Sequence, residues 1–335
     1  MVEEILVTLR ANEKVDPTLA IWGWEVPLYL YLGGLAAGLM VFAALTVLQR
    51  RDEQAPFAAS RAVLWAPVVL SVGMAALFLD LEHRLYVYRF YTAFEPSSPM
   101  SWGSWFLVLV YPASIALALA GLRGGYPVLA ALLTRAPGGA ALLDLAERYR
   151  RPLAVANVAL GVCLGIYTGI LLSAFSARPF WNTGLLGPLF LVSGLSTAAA
   201  LIVLAARHHH AEKTLFTRID IGLILTEALL VALLLVNLAT GTRPQIEALQ
   251  AIFGGGHTVS FWVFFALLGL LVPLVLEVLE LRGVCLWFVA APVLVLLGGF
   301  VLRQVTVDLG QQSAWHRYEQ GYDAALIERL REVGR

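Results

Sequence analysis

Several residues able to hold a ligand or move protons stand at the ends of apolar stretches in the first half of the chain. Glu25 and Tyr29 open EVPLYLYLGG, and Asp80, Glu82 and His83 close a run at FLDLEHR. Ser101 and Trp102 begin another run in PMSWG, and Tyr167 and Thr168 lie in GIYTGILLS. Phenols and hydroxyls donate hydrogen bonds, carboxylates and imidazole exchange protons, and aromatic rings form apolar walls. A quinone needs this combination: donors for two carbonyl oxygens, walls for a flat ring, and two protons on reduction. Two plainer readings stand beside it. Trp and Tyr collect at the interfaces of any membrane protein, so Tyr29, Tyr31, Tyr86, Tyr88, Tyr91 and Trp105 also fit an aromatic belt. Asp80 and Arg84, four apart, also fit a helix-end ion pair.

The elements that must position these residues are membrane helices. The 335 residues are 59% apolar and 14% charged, against about 45–50% and about 25% in soluble domains. Mean hydropathy is +0.78. Net charge is zero, which gives no footing for nucleic-acid binding. Eight runs have the length and apolarity of a span: 26–48, 61–82, 102–122, 152–175, 185–206, 219–238, 258–280 and 284–305. Backbone in hydrocarbon must satisfy itself, so each run is expected to be a helix, and no alternation suggests a barrel. The fold class is therefore an all-α membrane protein of eight transmembrane helices, arranged as two four-helix bundles.

Lys and Arg orient it. Arg50, Arg51, Arg61, Arg123, Arg135, Arg148, Arg150, Arg151, Arg207, Lys213, Arg218 and Arg282 flank one face. Arg10, Lys14, Arg84, Arg89, Arg178 and Arg243 flank the other. The richer face is expected to be cytoplasmic, which puts both termini and the 80–105 loop outside. This divides the chain into an outer segment 1–25, a first four-helix unit 26–175, a second unit 176–305 and an outer tail 306–335. Residues 1–17 show no secretory signal. Pro27-LYLYLGGLAA resembles Pro188-LFLVSGLSTA at an offset of roughly 160, the spacing of a parallel repeat.

Other polar positions are fewer. Glu227 lies mid-run, and Glu277 and Glu280 lie near the cytoplasmic end of the seventh run. Intramembrane carboxylates serve as proton stations or as neutral hydrogen-bonded groups, and Glu227 with Glu277 could form a relay. His208, His209 and His210 read as a solvated loop. The remaining histidines cannot ligate haems at two depths, and the two cysteines cannot hold a cluster. Electrons would then pass directly between a quinone and a partner's cofactor. The segment 123–151 and the tail AALIERLREV both contain amphipathic stretches that could lie on a surface.

The motifs together resemble a known family. Trp24-Glu25 before YLYLGGLAAG, Asp80-Leu81, Ser98-PMSWG, Tyr167-Thr168-Gly169 with LLS, Pro179 and Trp181, Leu189-FLVSGLS and Gly310-Gln311 stand in the order of NrfD/PsrC-type subunits, over roughly 20–311. These are membrane subunits of polysulfide reductase and formate-dependent nitrite reductase systems. The resemblance implies a haem-free quinone-binding anchor in a bacterial or archaeal cytoplasmic membrane. It implies a ferredoxin-like [4Fe–4S] partner and a molybdopterin catalytic subunit. Tyr167, Tyr29 and Asp80 match the family's site positions.

The expected function is quinol oxidation or quinone reduction at the outer face. Tyr29 and Tyr167, with Thr168, Ser101 and Trp102, would bind the ring. Asp80, His83 and Glu25 would handle protons, and Trp102 and Trp181 would wall the pocket. This reading requires Tyr29, Asp80 and Tyr167 to share one cavity. A transporter and a passive anchor are the alternatives. A transporter would show helices broken near the midplane.

Overall fold

The computed structural model describes residues 22–284 and 289–313. Eight helices are long and apolar enough to cross a bilayer. They are α1 (Glu25–Leu48), α2 (Ala58–Asp80), α3 (Pro99–Gly125), α4 (Arg150–Ser173), α5 (Leu186–Ala205), α6 (His210–Ala239), α7 (Ser260–Leu281) and α8 (Ala290–Gln312). No strand occurs among the described residues.

Three boundaries differ from the apolar runs by six residues or more: α6 begins at His210 rather than 219, and α8 begins at Ala290 rather than 284 and ends at Gln312 rather than 305. The extensions at the start of α6 and the end of α8 have one reason. Both extensions carry polar side chains that have partners. At the start of α6, Glu212 accepts from the backbone N–H groups of Phe57 (3.1 Å) and Ala58 (2.7 Å). The histidines are therefore not a free loop: His209 caps α6 by accepting from the Glu212 amide, and His210 is helical. Gly310 and Gln311, expected beyond the last helix, lie inside α8. The amphipathic stretch AALIERLREV and the first 21 residues lie outside the described residues.

Helix association in lipid gains little from hydrophobicity and depends on close packing and polar contacts. α1 is the centre: 83% of its span is buried, against 28% for α6 and for α7. Its small residues allow this. A side chain at Gly38 would run into Gly194 and Ala198 of α5, and one at Gly194 into Gly34, while one at Gly34 would crowd the Arg303 guanidinium. Gly34 thus faces Gly194 and Gly38 faces Ala198, the same offset in both pairs. The apolar core is continuous across residue 175: Tyr29 and Leu30 cluster with Phe190 and Phe265, and Leu39 and Phe42 with Ala198 and Phe216.

The starts of α1 and α3 and the ends of α2 and α4 lie on one face, together with the segment 81–98; we call it the lid face. The opposite, arginine-rich face carries two short helices, Pro127–Thr134 and Gly139–Arg148. Arg123 holds the second by ion pairs to Asp144 (2.7 Å) and Glu147 (2.9 Å). Leu143 and Ala146 of that helix point inward while Leu142 and Leu145 stay exposed.

Candidate functional site

Tyr167 and Tyr29 lie within electrostatic reach of each other beneath the lid face. Tyr167 projects from α4 onto α3, where its ring rests on the backbone of Gly103: a Cβ there would lie 1.9 Å from the tyrosine Cζ and hydroxyl oxygen. The glycine of PMSWG therefore makes room for the tyrosine of YTG. Phe106 meets the Tyr167 ring edge-on at 6.0 Å, and Trp102 lies 6.4 Å beyond Phe106. Tyr29 of α1 has Tyr167, Tyr91 and Tyr111 as electrostatic neighbours. Four phenols from α1, α3, α4 and the lid thus converge. Tyr29 is 5% exposed and Tyr167 6%. Neither hydroxyl has a hydrogen-bond partner among the described residues, whereas Tyr111 shares a 3.0 Å bond with Ser71. Burial and the neighbouring Tyr111 push the Tyr91 phenol up from its ordinary value, so it stays protonated and able to donate.

The other expected ligand residues have different employment. The Thr168 hydroxyl donates to Gly165 O at 3.0 Å, and its methyl faces Gly33 of α1. Ser101 and Trp102 fasten the lid. The Ser101 hydroxyl accepts from the Glu95 amide at 3.0 Å, and the Trp102 indole N–H donates to Pro96 O at 2.9 Å. The Glu95 carboxylate accepts from the Ser97 hydroxyl (2.8 Å) and amide (3.2 Å), which hold its carboxyl below the ordinary range. Phe94 closes the lid edge-on against Trp102 (5.3 Å) and Trp105 (5.8 Å).

Asp80 has Glu25 as its charged neighbour, and both are half-buried at the lid face. The ion pair of Asp80 with Arg84 does not form; Arg84 donates to Leu79 O at 2.8 Å instead. No described bond joins Asp80 to Tyr29 or Tyr167. His83 is exposed and lies on the lid, where a depression of about 370 Å³ is lined by Leu81, His83, Tyr86, Arg89 and Phe90. That depression does not include either tyrosine. The structure therefore sets Tyr29 within electrostatic reach of Tyr167, puts Asp80 beside Glu25 at the rim and sets His83 apart. The one described depression is lined by none of Tyr29, Asp80 and Tyr167, so the shared cavity expected from the sequence is not part of the described geometry.

Trp181 is not a wall of this site. It is 2% exposed and stacks on Trp22 at 5.2 Å, with Phe175 at 5.8 Å. Its indole N–H donates to Thr306 O at 2.7 Å, and only a glycine at 310 leaves space for its ring. Gln311 completes the joint, accepting from the Trp22 amide (2.8 Å) and donating to the Trp22 carbonyl (3.0 Å).

The second half of the bundle holds a separate polar group. Glu227 and Glu277 are both buried, and each has a polar neighbour that the apolar runs concealed. Asp220 of α6 accepts from the Ser196 hydroxyl at 2.6 Å and faces Glu277 of α7. Arg303 of α8 is fully buried, donates to Ser193, Gly299 O and Phe190 O, and lies 5.1 Å over the Phe190 ring. Ser193 is also the neighbour of the Glu227 carboxylate, which lies within electrostatic reach of Arg303. Arg303 stands close to the end of its apolar run and so reads as a flank, and Asp220 stands close to the start of its own. Their helices extend well past them. Gly103 and Tyr111 were equally hidden, because nothing in a single sequence says which glycine a ring rests on.

The family model described as Polysulphide reductase, NrfD matches residues 12–314. One component of the polysulfide reductase of Wolinella succinogenes is 29% identical over 87% of this chain and 94% of its own length. Protein NrfD of Escherichia coli is 33% identical over 77% of this chain and 84% of its own length. One component of the selenate reductase of Mesobacillus selenatarsenatis is 23% identical over 85% of this chain and 73% of its own length. The matched region takes in all eight spans, the PMSWG and YTG contact and the joint at Trp22, and the chain belongs to the NrfD polysulphide reductase family of multi-pass membrane proteins.

Proposed function

We propose that this chain is the quinone-reactive membrane subunit of a respiratory reductase complex in a bacterial or archaeal cytoplasmic membrane. The lid face would be outward and would carry a ferredoxin-like [4Fe–4S] subunit, with a molybdopterin subunit beyond it. One observation carries the reading: two buried phenols from different helices lie within electrostatic reach of each other beneath a lid of aromatic rings, with their hydroxyls unused. Such a place suits a flat, apolar ring that presents carbonyl oxygens to donors. A quinone, when bound, supplies two-electron chemistry coupled to two protons.

The chain's own residues supply the rest. Gly103 fixes the depth of the Tyr167 hydroxyl, and Gly73 of α2 packs against the Tyr29 backbone. Tyr29 and Tyr167 would donate hydrogen bonds to the quinone carbonyl oxygens. Phe106 and Trp102 exclude water from the ring plane. Asp80 and Glu25, half-buried at the rim, take and release protons between the site and the outer water, and His83 lies further along the same face. Because the phenols are covered, entry requires the lid rings to part. No span is interrupted by non-helical residues, although α7 changes from π-helix (Ser260–Leu271) to α-helix at Val272 and α2 opens with a π-helical turn (Ala58–Ala62); a transporter would show helices unwound near the midplane.

The test is quinol-linked turnover of the assembled complex together with quinol binding. Tyr167→Phe and Asp80→Asn should each lower turnover, while the complex still assembles. Unchanged turnover and unchanged quinol affinity in both would refute the assignment.

A further inference from the structure

The carboxyls of α6 and α7 are arranged in a way that the quinone reading neither uses nor requires. Lys213, Asp220 and Glu227 are spaced seven apart on α6, so they share one face at steps of about 10 Å. Lys213, nearest the arginine-rich end, pairs with Glu280 of α7. About one turn deeper on α7 lies Glu277, and it faces Asp220. Asp220 is fully buried and Glu277 is 1% exposed.

The contact between them is chemically incomplete. Asp220 Oδ1 is satisfied by Ser196, but Asp220 Oδ2 and both Glu277 oxygens have no donor. The charged and titratable groups around the pair are Glu280 and Lys213 toward the arginine-rich face, and Glu227 and Arg303 toward the middle; α5 contributes only Ser193 and Ser196. Arg303 has Glu227 as its own counter-charge and does not donate to the pair. Two carboxylates side by side in a low-dielectric interior repel each other and offer four acceptor oxygens and no hydrogen. A proton on one of them turns it into a donor to the other.

We propose that Asp220 and Glu277 form a proton-holding site in the second half of the bundle, exchanging with water at the arginine-rich face past Glu280 and Lys213. One proton enters from that water, binds a carboxylate oxygen of the pair and becomes the hydrogen bond between the two residues. It leaves by the same path, and no electron moves. Glu227 and Arg303 form the inner boundary: beyond them Arg303 abuts Gly34 of α1, at the core of the bundle.

The experiment is infrared spectroscopy of the assembled protein in native lipid, without added quinone. The resting protein should show a carboxylic-acid carbonyl band at neutral pH that shifts on deuteration. That band should be lost in Glu277→Gln and in Asp220→Asn, and its exchange with deuterium should slow several-fold in Glu280→Gln. Survival of the band in both pair variants would overturn the proposal. Should those variants fail to assemble, Ser196→Ala decides: removing the donor to Asp220 must move the band, and an unmoved band rejects the site. Disappearance of the band on adding sodium at constant ionic strength would replace the proton with an alkali cation and equally overturn it. None of these outcomes bears on Tyr29 or Tyr167, so the quinone reading stands or falls separately.

Discussion

The tyrosine group under the lid and the charged group of α5–α8 are buried to much the same degree. Tyr29 and Tyr167 are 5% and 6% exposed, while Asp220, Glu227, Glu277 and Arg303 are 0–3% exposed. They meet the cost of burial in opposite ways. The phenols are neutral, lean on glycine and aromatic carbon, and leave their hydroxyls unused. In the charged group, Arg303 and Glu227 are held by opposite charge, a serine hydroxyl and helix carbonyls, while Asp220 has one serine donor and faces Glu277. A neutral site can lose a hydrogen bond and remain folded, but a charged one cannot lose a partner cheaply. Function in the first region and stability in the second should therefore respond differently to small changes.

The largest effect belongs to Arg303. Arg303→Met leaves the Glu227 charge buried without its cation and should cost about 3–5 kcal/mol. Thermal melting in detergent measures this, and adding Glu227→Gln should recover much of the loss. If the double variant melts no higher than the single one, the two residues are not charge partners. Next comes Gly103→Ala, which drives a methyl group into the Tyr167 ring. Overpacking of this kind costs about 1–3 kcal/mol, and quinol-linked turnover should fall with it. Turnover at the parental level would show that the ring can move without consequence.

Tyr167→Phe keeps the ring on Gly103 and removes only the hydroxyl. Melting should change by less than about 1 kcal/mol, since no described partner is lost, while turnover falls about 10²-fold if the phenol transfers a proton in the reaction. A drop in melting without a drop in turnover would reverse the contrast drawn above. The smallest effect concerns the lid. Ser97 depresses the Glu95 carboxyl, so the lid contact is fully present above the ordinary carboxylate range and is lost as pH falls through the depressed value. Limited proteolysis of the 81–98 segment should accelerate over that acidic window, and Glu95→Gln should remove the pH dependence. A cleavage rate independent of pH in the parent protein would discount the contact.

Much of the architecture could be read beforehand, because hydrocarbon imposes a simple rule. Six of the eight spans were bounded to within a few residues by apolarity alone. The start of α6 and the end of α8 were not, since the rule is blind to helix that continues through polar residues with partners. Tyr167 was legible because a tyrosine flanked by glycines deep in a span is unusual, and Tyr29 because it stands one turn before the glycines of its run. The roles of Ser101, Trp102 and Trp181 were not, because type and depth do not reveal what a hydrogen bond is spent on. Trp181 is a joint and Trp102 a fastener. Arg303 shows the same limit: its charge is plain in the chain, but its neighbours come from α5 and α6, far away in sequence.

The grip of Gln311 on Trp22 has a bearing on biosynthesis. Trp22 precedes the first span and Gln311 lies in the last turn of the eighth, so the ribosome must deliver all eight spans before Trp22 finds its anchorage. Until α8 enters the bilayer, the backbone of Trp22 lacks that tether and Arg303 is missing from beside Gly34. A nascent polypeptide stopped short of α8 would leave both ends of the assembly undone, which gives a cell's quality control a clear mark of incompleteness.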